Sequence, residues 1–279
     1  MNLKYIDDLS MLAAINLTKC LTSDSLSRPR PLSFNERTQQ VLTTEGNLLQ
    51  DDLNSLEKYV SRKQMKIKES KTQLMKFNFT RNMDFPPEIL VDGFKNNLQV
   101  VDKAKLLGVV ITGDLKWQEN TREICRKAYK RMWALRRMKA LDIEPLMILD
   151  IYVKEIRAVL ELAVPAWNSG LTKKQIDEIE RVQRVAIHII LSDSKTGKCE
   201  FSYNMGLVIL DLEPLHIRRE KLCRAFAKKT LKTKHSNIFI KNKNQHYTRH
   251  KQEYFENKCN TKRFYNSPVN YLTNLLNDM

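Results

Sequence analysis

The sequence predicts an α+β chain in which short antiparallel strands and a helix come first and long helices follow. Three observations carry that reading. Apolar residues alternate in short runs up to Trp117, whereas from Glu119 onward they recur at helical spacing. The 279 residues include only 7 glycines and 8 prolines, which leaves few tight turns and favours long regular elements.

The chain opens on Lys4-Tyr5-Ile6-Asp7-Asp8-Leu9-Ser10-Met11-Leu12, a pair of aspartates between strand formers. This reads as a hairpin with both carboxylates at its turn. Asp is a common turn residue, so a plain surface turn accounts for the pair. The sharper reading is a divalent-cation site that handles phosphates, because hard cations take carboxylate oxygens, and the pair alone is a weak signal for it. Residues 18–42, rich in Ser, Pro and Arg, read as a loop. Leu48, Leu49, Leu53, Leu56 and Tyr59 place one amphipathic helix over 44–59. Met65 and Ile67, then Leu74, Met75, Phe77 and Phe79, suggest two strands. Pro86-Pro87 marks a loop, and Val91, Leu98, Val100 and the run from Leu106 to Thr112 suggest further short strands before Gly113-Asp114.

The helical part follows. Over 119–141, Ile124, Ala128, Leu135 and Met138 share a stripe flanked by Met132, with Arg122, Arg126, Lys130 and Arg137 opposite. A second helix starts at Pro145, which suits a first turn, and runs to about 163. Thr172-Lys173-Lys174-Gln175 is a capping box opening a third, with Ile176, Ile179, Val182, Ala186 and Ile190 inward. A fourth spans about 213–232, and Tyr271, Leu272, Leu275 and Leu276 end the chain on a short apolar stripe. Trp133, Trp167 and His188 are read as core residues.

A net charge of +16 directs the chain towards polyanions, and solubility alone does not need so lopsided a balance. The five cysteines are odd in number, widely spaced and without a Cys-x-x-Cys pair, which fits free thiols in a reducing compartment. His246, His250 and Cys259 lack a fourth ligand at zinc spacing. No apolar run approaches the ~20 residues of a membrane span, so a soluble intracellular protein with no membrane partner is expected.

Taken in order, these segments resemble the reverse transcriptases of non-LTR retrotransposons. Tyr5-Ile6-Asp7-Asp8 is similar to the Tyr-x-Asp-Asp box, and Met65-Lys66-Ile67 through Lys71-Thr72-Gln73-Leu74-Met75 looks like the following motif, a Lys-Thr pair before an apolar strand. Lys105-Leu106-Leu107-Gly108-Val109, continued by Leu115-Lys116-Trp117, is similar to the primer grip. Leu160-Glu161-Leu162-Ala163 with Trp167, then Glu180-Arg181-Val182-Gln183-Arg184, looks like the thumb. Leu215-His216-Ile217-Arg218-Arg219 and Ser267-Pro268-Val269-Asn270-Tyr271-Leu272 continue the same C-terminal region. The family commonly has Asn where Lys68 stands.

The resemblance implies a partial polymerase palm over 1–117, a thumb-like helical region over 118–240 and a basic tail with a short terminal helix over 241–279. It implies an RNA-directed DNA polymerase using Mg2+ or Mn2+, with an RNA or DNA template–primer duplex as partner. In that frame Asp7 is the first metal ligand and Asp8 the secondary one, and Tyr5 lies near the incoming nucleotide. Lys71 is either the general acid for the leaving pyrophosphate or a solvated strand lysine. Gly108 and Leu115 belong to the primer grip, with Trp117 packed beneath it. Arg122, Arg126, Lys130 and Arg137 are either phosphate contacts or ordinary solvated residues. A non-catalytic, basic nucleic-acid-binding protein is the alternative.

The family places its fingers and its first catalytic Asp ahead of the Tyr-x-Asp-Asp box, whereas only Met1-Asn2-Leu3-Lys4 precede it here. The expectation is therefore an N-terminally truncated enzyme, inactive alone. Primer extension by the purified chain with magnesium or manganese is expected to yield no template-dependent product, and synthesis would overturn that expectation.

Overall fold

The computed structural model describes residues 4–5, 50–68, 71–77, 98–193, 196–242 and 253–278. Asp7 and Asp8, the loop over 18–42, Pro86-Pro87, Val91, Phe79, His246 and His250 lie outside the described residues. What is described is mostly helical with a few short strands, an α+β chain. It divides into two units, one of residues 1–107 and 112–115, the other of residues 108–111 and 116–279.

In the first unit, helix α1 covers residues 50–62 of the described chain, and Val60 is its buried anchor. Strand β1 (Lys4–Tyr5) pairs with β2 (Met65–Lys66), and β3 (Gln73–Leu74) with β4 (Gln99–Val100). Both pairs are parallel, with Lys4 opposite Met65 and Gln73 opposite Gln99. For these two pairs this corrects the antiparallel pairing expected from the sequence. Short alternating runs carry no strand direction, and the long connections, one containing α1, permit the crossovers that parallel pairing needs. The run read over 106–112 is the end of β5 (Lys103–Leu106), a turn, and β6 (Val109–Thr112). Leu107 and Gly108 both have positive φ, 47° and 88°, as a tight hairpin turn requires.

The second unit is a helical bundle. Helix α2 (Gln118–Ala140) buries Ile124, Ala128, Met132 and Leu135 along one stripe. The Asn120 carboxamide near its start accepts from the Val110 amide at 3.1 Å, tying β6 to α2. Trp117, at the N-cap, lies against Gly170, where a Cβ would come within 2.4 Å of the indole Nε1.

The second helix begins at Pro145 as expected, as α3 (Pro145–Ile151). It widens into a π-helix over Tyr152–Arg157 and closes as α4 (Ala158–Leu160). Ala163 then takes a left-handed φ of 51°, which stops the helix and turns the chain into α5 (Val164–Trp167). Trp167 is fully buried, as the sequence suggested, and its Nε1 donates to the Leu162 carbonyl at 2.8 Å.

Helix α6 (Lys173–Leu191) opens on the expected capping box: Gln175 N donates to Thr172 Oγ1 at 3.4 Å, and Thr172 N to Gln175 Oε1 at 2.7 Å. Ile179, Val182, Ala186 and Ile190 are fully buried. A short helix absent from the sequence reading, α7 (Tyr203–Ile209), is capped by Ser202 and packs on α6. Helix α8 (Leu215–Leu231) follows, then α9 (Lys262–Tyr265) and α10 (Pro268–Asn277). Leu272, Leu275 and Leu276 of α10 are buried in the same core as α8, and the Asn277 side chain brackets the Tyr254 backbone with bonds of 2.9 and 3.0 Å.

Gly206 sets how closely α7 approaches α6, since an added Cβ would sit 2.4 Å from Ile187 Cγ2. Ile187 is itself buried and cannot move aside. Gly206→Ala gains up to ~1 kcal/mol of helix propensity but overpacks the contact by ~1–3 kcal/mol. A lower denaturant midpoint is expected, and an unchanged or raised one would show that the contact yields.

Candidate nucleic-acid interface

Helical geometry puts residues three and four apart on one face. On α2 that rule aligns Arg122, Arg126, Lys130 and Arg137, and all four are exposed. They are not equivalent. Arg122 is tied to Glu119, and Arg126 grips Glu123 with two bonds of 2.8 and 2.9 Å. Those bonds are the first cause holding the Glu123 carboxyl down to about 2 from its ordinary 4.5. The folded value is depressed, so this pairing is in place at neutral pH and is lost only as pH falls below the usual carboxylate range towards 2. The N-terminal half of the stripe is thus largely self-neutralised.

The C-terminal half is different. Among the described residues, Lys130 and Arg137 have no carboxylate within ion-pair distance, and neither has Arg136, which the sequence reading passed over. Between them stands Trp133, 69% exposed. This corrects its assignment to the core: it lies three residues after Lys130 and four before Arg137, on the cationic face, and its hydrophobicity does not change that angle. His188 is corrected in the same way. It is exposed, four residues after Arg184 on the outer face of α6. Arg136 meets Arg184 and His188 across a shallow crevice of about 380 Å3 floored by Val185 and Ile189. Arg184 also lies over the Tyr203 ring at 5.1 Å.

Of the α6 residues that carried the thumb resemblance, Arg181 and Arg184 are exposed, whereas Glu180, Val182 and Gln183 face inward. Gln183 is fully buried. It accepts from the Tyr152 hydroxyl at 2.7 Å and donates to the Tyr203 hydroxyl at 3.1 Å and the Glu213 carbonyl at 2.9 Å. Glu180, also buried, accepts from the Tyr203 hydroxyl and from the Leu215 amide at 3.1 Å, the first N–H of α8. Burial, and then the Glu180 bond, push the Tyr203 phenol well above its usual range, so it stays a donor. On α8, Arg219 is buried and donates to Asn168 Oδ1 at 3.0 Å. Burial pulls its guanidinium below the ordinary value while Glu180 opposes that. Glu161 pairs with Arg157 and Arg218. These groups hold the bundle together.

The first unit carries other sequence-derived residues. Tyr5 is in β1, Lys71 is exposed just ahead of β3, and Leu115 follows β6 with a φ of 49°. In the second unit Gly108, at its hairpin turn, faces Leu162 Cδ2, which an added Cβ would meet at 2.9 Å. Among the described residues no group of three His, Cys, Asp or Glu side chains could hold a metal. The Mg2+ or Mn2+ reading rests on Asp7 and Asp8 alone. No described helix is long and apolar enough to cross a membrane. No family model matches the chain, and comparisons with curated proteins and with solved structures find no match.

Cys125 and Cys223 sit inside the bundle, where burial pushes their thiols up to about 11 and about 12. Cys199 and Cys259 are half-exposed. Labelling of the native chain at neutral pH with a thiol reagent is therefore expected at Cys199 and Cys259 and not at Cys125 or Cys223 until denaturant is added. Fast native labelling of Cys125 or Cys223 would contradict the packing described.

Proposed function

We propose that the chain is a palm-and-thumb part of a non-LTR-type reverse transcriptase, an RNA-directed DNA polymerase, and that its helical unit binds the nucleic acid of a template–primer. The family reading is supported by the ordered motifs from Tyr5-Ile6-Asp7-Asp8 to Glu180-Arg181-Val182-Gln183-Arg184. The binding reading is supported by one geometric observation: Lys130, Arg136 and Arg137 surround an exposed indole, with Arg184 and His188 across the crevice. The metal chemistry that the resemblance implies stays with Asp7 and Asp8, and the helical unit contributes grip. The same cluster favours the second reading, a non-catalytic nucleic-acid-binding protein, because it needs no carboxylate to work.

Cations that neutralise phosphates release counterions, so affinity should fall steeply with salt. Micromolar binding is expected at low ionic strength. Lys130→Gln and Arg137→Gln should each lower the salt slope by about one, whereas Arg122→Gln, whose charge is already engaged by Glu119, should change it less. Affinity that stays flat from low to high salt would overturn the binding reading.

A further inference from the structure

Phosphate contacts alone do not call for an indole in their midst. A tryptophan with 69% of its surface in water is unfavourable in the free protein, and it gains most when a flat apolar surface covers it. In a duplex the base faces are stacked on one another and are not offered to a side chain on the outside of a helix. In an unpaired strand they are, and a base on an aromatic ring with cations along the backbone is the usual arrangement for single-strand binding.

Lys130 and Arg137 lie seven residues apart, about two turns or ~10.5 Å of rise, with Trp133 between them on the same face. Arg136 continues the cationic track across the crevice to Arg184 and His188, so the strand's path turns from α2 onto α6. No carboxylate lines that crevice, whereas Glu119 and Glu123 close the other end of the stripe.

We infer that Trp133 is a stacking platform for an unpaired nucleotide, and that the surface of Lys130, Trp133, Arg136, Arg137, Arg184 and His188 binds single-stranded nucleic acid in preference to duplex. This rests on the proposed binding function and makes it more specific.

The chain has three tryptophans, of which Trp167 is fully buried and Trp117 half-buried against Gly170, so the quenching by a bound base that is lost in Trp133→Phe reports on Trp133. Titration with an oligouridylate of about 16 nucleotides, and separately with a blunt duplex of the same length, compares the two substrates. The single strand is expected to quench and to bind several-fold tighter. Trp133→Ala should weaken single-strand binding about tenfold and duplex binding less than twofold, and Trp133→Phe should recover most of the loss. Trp133 is exposed, so both variants should keep the wild-type thermal midpoint. If Trp133→Ala leaves single-strand binding intact, or weakens both substrates equally, the stacking inference is overturned while nucleic-acid binding stands; the indole then belongs to a protein contact. If neither substrate binds in a salt-dependent way, the binding function itself is overturned.

Discussion

Glu180 and Gln183 share the inner face of α6 with Ile179, Val182, Ala186 and Ile190, and such groups are costly inside an apolar bundle unless their polar atoms are met. One oxygen of Glu180 and both polar atoms of Gln183 are bonded, while Glu180 Oε2 has no hydrogen-bond partner among the described residues. Here the partners come from three other elements. Tyr152 reaches Gln183 from the π-helix, Tyr203 reaches both residues from α7, and Glu180 meets the first amide of α8. A carboxyl at that amide also complements the positive end of the helix. One turn into α8, Arg219 extends the linkage to Asn168, whose amide reaches the Tyr271 hydroxyl of α10 at 3.4 Å. Removing a single member would strand its partners at ~1–3 kcal/mol each, so the set acts as a unit in selecting one arrangement of helices.

That arrangement decides what α2 shows to solvent. With α6 fixed in the bundle, α2 packs along it: the Cys125 thiol lies 3.9 Å from the Glu178 carbonyl at one end, and Lys139 Nζ donates to the Ile190 carbonyl at 3.1 Å at the other. The two helices therefore run side by side in the same direction. Their outer faces join across the Arg136–Arg184–His188 crevice into one basic surface. Of the α6 motif that suggested a thumb, Glu180, Val182 and Gln183 act inside the bundle, while Arg184 joins the outer basic surface.

Much of the helical unit was legible because periodicity is a local signal. The stripe of α2, Pro145 as a helix start, the Thr172–Gln175 capping box and the span of α8 all follow from residues within a few turns of one another. The candidate interface was only half legible. Arg122, Arg126, Lys130 and Arg137 could be placed on a common face, but not ranked, because the local pairs with Glu119 and Glu123 depend on rotamers. Trp133 reads inward by residue type and His188 by its place near the apolar face of α6, yet their spacing from Lys130, Arg137 and Arg184 points outward. Position on the helix outweighs hydrophobicity once the opposite stripe is already filled by Met132, Leu135 and Ala128.

By itself the sequence determined the α+β order, the helical stripes, the basic balance and the ordered motifs that resemble a reverse transcriptase. Tertiary structure alone decided strand direction, since alternating runs read the same in parallel and antiparallel pairs. It also decided that Glu180, Gln183 and Arg219 are buried and partnered, because their partners are distant in sequence. Lastly, it brought Arg136 against Arg184 and His188, a juxtaposition that requires two helices distant in sequence to be packed before it exists.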